Sequence, residues 1–155
     1  MLDAGQKAPD FTLATDRGEN VKLSQLKGQP VVVYFYPKDS TSGCTRQAQA
    51  FTEMAKDFES LGARVIGISP DTTESHAKFR AKYGLSVDLA ADPDRKAIDA
   101  YGVWIEKSMY GRKYMGVDRS TFLVDAKGRI ARIWRKVRVP GHAEEVLAAV
   151  KALRP

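Results

Sequence analysis

A chain of 155 residues, 43% hydrophobic and 28% charged, is sized for one domain, 1–155, and is well clear of disorder. Its longest unbroken apolar run, Val31 to Tyr36, falls far short of the roughly 20 residues that a membrane span needs, so no membrane partner is expected. The net charge of +6 is uneven, with 13 basic and 14 acidic residues in 1–105 against 12 and 5 in 106–155. A basic third of this kind suits nucleic acid or another anionic surface. However, no aromatic-interleaved basic motif or DNA-reading helix pattern accompanies it, and no nucleic-acid partner is expected.

Phe11 to Leu13 and Val21 to Leu23 flank the polar turn Thr15-Asp16-Arg17-Gly18 and predict an amino-terminal β-hairpin. Val31 to Tyr36, β-branched and aromatic behind Pro30, predicts a strand buried on both faces. From Cys44 the period changes: Ala48, Phe51, Ala55, Phe58 and Gly62 recur at helical spacing. A strand over Ala63 to Ser69 completes a βαβ unit, whose strands should run parallel. Asp71, with Glu74 three residues on, predicts the cap of a helix that ends at Gly84. Leu85 to Ala90 reads as a short strand, and Asp92-Pro93 as the opening of another helix. Thr121 to Val124 and Ile130 to Trp134, joined by Asp125-Ala126-Lys127-Gly128, form a hairpin. A closing amphipathic helix from about Gly141 turns Val146, Leu147, Val150 and Leu153 inward. The order describes an α/β protein of the thioredoxin type, a central mixed sheet flanked by helices.

Cys44, the only cysteine, follows a buried strand and opens a long helix. One cysteine forms neither an internal disulfide nor a thiolate-rich zinc site, and no metal site is expected. The amino terminus, with Asp3, Lys7 and Asp10, lacks the apolar stretch of a signal peptide, so the expected compartment is the cytoplasm. A helix amino terminus supplies unpaired N–H groups and partial positive charge, and both stabilise a thiolate. The plain alternative is an inert buried thiol acting as a small hydrophobe. The flanking Ser42-Gly43 and Thr45-Arg46 are small or polar, which argues against deep apolar burial. Neither His76 nor His142 has a motif placing it beside Cys44 as in a Cys–His dyad. A cysteine phosphatase needs arginine where Ala50 stands.

The segment YFYPKDSTSGCT, Tyr34 to Thr45, with its Pro37-x-x-x-Thr41-x-x-Cys44 spacing, resembles the peroxidatic motif of peroxiredoxins. The FYPKD lead-in and the later MYG…DRSTFLVD run (Met109 to Asp125) resemble the bacterioferritin-comigratory, or Q-type, subgroup. The likeness runs from GQKAPDF to the closing GHAEEVL helix. It implies a thiol-dependent peroxidase that reduces hydrogen peroxide and organic hydroperoxides without a cofactor. Cys44 would become a sulfenic acid. Thr41, one helical turn earlier, would hydrogen-bond the sulfur or the peroxide oxygen. Pro37 would stiffen and shield the loop. Arg119 matches the family's active-site arginine and, with the Gly43 and Cys44 amides, would hold the thiolate and the incoming oxygen.

The chain departs from the subgroup at one point. Many members carry a resolving cysteine five residues after the first or on the next helix; here those positions hold Gln49 and, by alignment, Arg80. The expected enzyme is therefore a monomeric single-cysteine form recycled by an external thiol, namely thioredoxin, glutaredoxin or glutathione. A redox-sensing or chaperone-like binding protein on the same fold is the alternative.

Overall fold

The computed structural model describes residues 1–153; Arg154 and Pro155, the end of the expected 1–155 domain, lie outside the described residues. In chain order the elements are β1 (Thr12–Ala14), β2 (Asn20–Lys22), β3 (Val31–Phe35), α1 (Ser42–Glu53), α2 (Ala55–Ser60) and β4 (Arg64–Ser69). Then come α3 (Thr73–Tyr83), β5 (Asp88–Ala91), α4 (Lys96–Ala100), β6 (Trp104–Met109), β7 (Arg112–Val117), β8 (Ser120–Val124), β9 (Ile130–Trp134) and α5 (His142–Ala152).

The apolar run behind Pro30 becomes the central strand because both of its faces find cover. Val31, Val33 and Phe35 pack with Phe11, Ile98, Tyr101 and Phe122 on one side. Val32, Tyr34 and Tyr36 point the other way, as period-2 geometry requires, into Phe51, Phe58, Phe79 and Val146. Around β3 the five-stranded sheet runs β5-β4-β3-β8-β9. β3, β4 and β5 are mutually parallel, whereas β8 is antiparallel to β3 and β9 is antiparallel to β8. This is the expected mixed thioredoxin-type sheet, and the amino-terminal hairpin β1–β2 is present with Leu13 opposite Val21. The carboxyl end of β3 delivers the chain directly to the amino terminus of α1, which fixes where Cys44 stands.

Several local expectations are corrected by specific bonds. The single long helix after Cys44 is two, broken at Met54 (φ −98°, ψ 10°). The break lets Phe58 return against Phe51, with ring centroids 5.8 Å apart. Thr72, not Asp71, caps α3: its hydroxyl oxygen accepts from the Ser75 N–H, while the Asp71 carboxylate is occupied by Asp39 and Ser69. The helix does end at Gly84. The strand expected over Leu85 to Ala90 shrinks to β5, because residues 85–87 are tied to α3 instead. Leu85 N–H bonds the Arg80 carbonyl, and the Arg80 guanidinium takes the Leu85 and Val87 carbonyls. Asp92 does receive helix N–H groups, but from Lys96 and Ile98, so α4 begins after Arg95 rather than at Pro93.

The hairpin β6–β7 is an addition to the expected order. Its sequence, WIEKSMYGRKYMGV, does not alternate into one buried face, because only Trp104 and Val117 at its base reach the core. Met109, Tyr110, Tyr114 and Met115 are exposed along it.

One close approach on the central sheet carries a stability prediction. A Cβ built on Gly67 would lie 2.6 Å from Tyr34 Cζ, and the Tyr34 ring cannot retreat because it stacks on Phe51 at 4.8 Å. Gly67→Ala is expected to destabilise the protein by about 1–3 kcal/mol, read as a lowered midpoint in urea unfolding. An unchanged midpoint would show that the ring has somewhere to go.

Candidate active site

The β3 ladder ends with Tyr36, whose N–H reaches the Ile68 carbonyl; Pro37, which follows, has no N–H to continue it. The chain then loops over residues 37–41 and enters α1 with Thr41 as its cap. The first bond of the helix runs from Thr45 N–H to the Thr41 carbonyl, so the Ser42, Gly43 and Cys44 amides precede the ladder and remain open as donors. Cys44 sits in this first turn with 1% of its surface exposed. It is a buried thiol, against the expectation that its small and polar neighbours would keep it shallow. Burial alone would suit an inert hydrophobe, but its principal polar neighbour points elsewhere.

Arg119 enters from the junction of β7 and β8 and donates from Nη2 to Cys44 Sγ at 3.3 Å. Its other terminal nitrogen, Nη1, donates to Gln47 Oε1 at 2.6 Å. Gln47 lies one turn along α1 on the same face as Cys44, so one side chain of the helix aims the guanidinium at another. Gly43 makes room: a Cβ there would lie 3.2 Å from Arg119 Nη2. Main-chain N–H groups, a fixed positive charge and the sulfur are therefore gathered at one helix terminus.

Of the two partners expected for Thr41, the sulfur and the peroxide oxygen, the structure does not supply the first. The Thr41 hydroxyl donates to the Lys38 carbonyl at 2.8 Å and makes no bond to the sulfur. With that proton committed, its lone pairs remain free to accept. Pro37 is half-buried and Arg46 is exposed on α1, as expected of a surface helix position. Lys107 of β6 lies close enough to feel the same charges. Burial holds its amine below its ordinary value, with Asp118 opposing and Arg119 reinforcing that shift.

Sequence reasoning missed two groups here. Gln47 was discoverable from its i, i+3 spacing to Cys44. The other is a buried network behind the loop, in which Tyr36 and Asp39 of one segment meet His76 of α3, to which no local spacing links them. His142 also lies inside rather than at the surface. It shares a hydrogen bond with the Thr121 hydroxyl at 2.8 Å, and burial, reinforced by Arg119 and Arg132 against Glu145, lowers its pKa to about 4. It is therefore neutral at physiological pH. Neither histidine bonds Cys44, which accords with the absence of a Cys–His motif. Arg80, at the expected second resolving position, is built into the fold: it pairs with Asp16 at 2.6 Å and ties α3 to the amino-terminal hairpin.

Residues 4–133 match the AhpC/TSA family. The chain is 47% identical over 150 residues to Peroxiredoxin Bcp of Bacillus subtilis, covering 97% of this chain and 96% of that one. It is 42% identical over 156 residues to Peroxiredoxin Bcp of Xanthomonas campestris, covering 98% of each. The fold superposes on a solved Xanthomonas campestris Peroxiredoxin Q mutant with a TM-score of 0.91 at 41% identity, covering 99% of this chain and 100% of that chain. Cysteine-to-serine mutants of that protein have been solved at two positions the same distance apart as Cys44 and Arg80. The chain belongs to the AhpC/TSA family and is a peroxiredoxin of the Bcp type.

Proposed function

We propose that this peroxiredoxin, a thiol-dependent peroxidase, runs a cycle on one cysteine, with Cys44, Arg119, Thr41 and Pro37 as its site residues. The observation that carries the reading is the Arg119 guanidinium 3.3 Å from Cys44 Sγ at the open amino terminus of α1. The Cys44 thiolate attacks the hydroxyl oxygen of a hydroperoxide ROOH, the O–O bond breaks, and the products are Cys44–SOH and RO⁻, which takes up a proton from water. Negative charge moves from sulfur to the departing oxygen. Arg119 and the Gly43 and Cys44 amides are preorganised donors for both positions. Thr41, whose proton is held by Lys38, accepts from the hydroperoxide O–H and so orients the oxygen under attack. Pro37 keeps the loop from donating an N–H of its own.

Recycling takes two external thiols. The first condenses with the sulfenic acid, releasing water and leaving a mixed disulfide; the second displaces it, restoring Cys44 and yielding an oxidised dithiol or disulfide. Thioredoxin, glutaredoxin and glutathione are the candidate donors. Hydrogen peroxide and organic hydroperoxides are the proposed substrates, the organic class supported by the alkyl peroxide reduction activity described for the Xanthomonas campestris bacterioferritin comigratory protein. Among the described residues the two core clusters flank one sheet, which supports a single domain over the proposed 1–155, and a monomer is the proposed acting form. No described helix is long and apolar enough to cross a membrane, and the cytoplasm is the proposed site of action.

The test is peroxide consumption with excess dithiothreitol. Wild type is expected to turn over, and Cys44→Ser to fall to the uncatalysed background. Residual turnover in the variant would place the chemistry elsewhere.

A further inference from the structure

The departing oxygen needs a proton, and the donors already placed around Cys44 do not release one. Hydroxide and alkoxide are poor leaving groups until protonated, so an acid positioned at that oxygen speeds their departure. Arg119 and the Gly43 and Cys44 amides donate hydrogen bonds, but a guanidinium stays charged throughout and a peptide N–H does not dissociate. The Thr41 proton is held by the Lys38 carbonyl. Tyr34 lies in the core beneath α1, where burial, reinforced by the Cys44 charge, pushes its phenol up. His142 is neutral and shares its hydrogen bond with Thr121.

Lys107 is placed differently. It stands on β6 opposite Tyr114 of β7, and its side chain is half-buried although most of the hairpin around it is exposed. Gly116 permits this. The position of a Cβ there lies 3.5 Å from Lys107 Cδ and 3.8 Å from Cε, so the lysine stem runs over bare backbone. From the end of β7 the chain passes through Asp118 to Arg119, and the charges of Asp118, Arg119 and Cys44 all reach the amine. Among the described residues the amine forms no ion pair. The Asp118 carboxylate accepts instead from the Ser120 hydroxyl at 3.4 Å.

A half-buried ammonium group therefore stands near the thiolate and the guanidinium with no counterion of its own. Burial holds its pKa below the ordinary lysine value; Asp118 and Cys44 oppose that shift, and Arg119 adds to it. The direction makes the ammonium a stronger acid than a free lysine.

Resting on the peroxidase reading above, we propose that Lys107 is the general acid of the oxidation step. The Cys44 thiolate takes the hydroxyl oxygen of ROOH, the O–O bond breaks, and both of its electrons pass to the RO oxygen. That oxygen takes a proton from the Lys107 ammonium. The products are Cys44–SOH and ROH, and the neutral amine recovers its proton from water. The net proton is one of water, delivered through a fixed side chain. Arg119 steadies the charge on the departing oxygen, and Lys107 removes it.

The test separates reagents by what leaves. Hydrogen peroxide and tert-butyl hydroperoxide release hydroxide and an alkoxide, which need the proton. Peracetic acid releases acetate, which is stable without one at pH 7. Iodoacetamide alkylates the thiolate and releases no oxygen. Full-length wild type, Lys107→Gln and Lys107→Arg are each followed with all four reagents in single turnover at pH 7.

Lys107→Gln is expected to lose on the order of 10²-fold with both hydroperoxides, and to stay within about twofold of wild type with peracetic acid and iodoacetamide. Lys107→Arg keeps the charge but releases no proton, so it is expected to lose as much. The pH profile gives a second reading. With hydrogen peroxide the wild-type rate rises as Cys44 ionises and falls as Lys107 deprotonates, below the roughly 10.4 of a free lysine. In Lys107→Gln that falling limb is expected to be absent. The general-acid role is overturned if Lys107→Arg matches wild type, if peracetic acid or iodoacetamide slows equally, or if Lys107→Gln loses nothing. A wild-type protein inert to all three peroxides, yet still alkylated, would overturn the peroxidase reading instead.

Discussion

Arg119→Met is expected to slow oxidation of Cys44 by hydrogen peroxide by about 10²–10³-fold, the usual loss when a preorganised donor is removed from a developing oxyanion. Part of any such loss comes from ionisation, and its ceiling is calculable. A free thiol is about 3% ionised at pH 7, so complete ionisation gains at most roughly thirtyfold. The remainder must arise in the transition state, where charge leaves the sulfur for the departing oxygen. Arg119 spans both positions, since Nη2 contacts Sγ and Gln47 fixes Nη1. Stopped-flow rates at pH 7 and at about pH 10 separate the two contributions, because thiols are largely ionised at the higher pH without help. A loss of at least about tenfold is expected to persist there. If the variant catches up with wild type once both are ionised, Arg119 acts on the thiolate alone.

Where sequence and structure agree, the signal was local. Val31 to Phe35 is the buried central strand because five consecutive β-branched and aromatic residues have no polar face to show to water. The place of Cys44 followed from strand, loop and helix in succession, whereas Arg119, at the head of β8, was named through the resemblance to the peroxiredoxins. Where they part, the deciding group lies far along the chain. Arg80 pulls residues 85–87 out of the expected strand through carbonyl bonds, and its partner Asp16 stands on the opposite hairpin. Asp71 resembles a helix cap locally but is claimed by Asp39, more than thirty residues earlier. The Thr41 hydroxyl, placed near the sulfur by spacing, is turned to Lys38 by a loop geometry that spacing does not encode. The β6–β7 hairpin gave no clean period because most of it packs against nothing.

The second large effect concerns the missing partner thiol. With one cysteine in the chain, a sulfenic acid at Cys44 can condense only with a thiol from another molecule. Two copies joined through Cys44 would need Cα atoms about 4.4–6.8 Å apart. Each Cys44 is 1% exposed at the start of α1, behind the loop that Asp39 ties to His76, and each copy carries a net charge of +6. Close approach of two such sites requires both loops to open and like charges to meet. A Gln49→Cys variant would not mend this while α1 stays folded, since residues five apart on a helix do not share a face. Reduced protein given one equivalent of peroxide without reductant is therefore expected to gain one oxygen by intact mass, with no dimer on a non-reducing gel. Excess peroxide should then add a second oxygen as the sulfenic acid passes to sulfinic acid, with permanent loss of activity. A quantitative disulfide dimer after one equivalent would mean that Cys44 reaches the surface far more readily than its burial allows, and that a second copy, not an external reductant, completes the cycle.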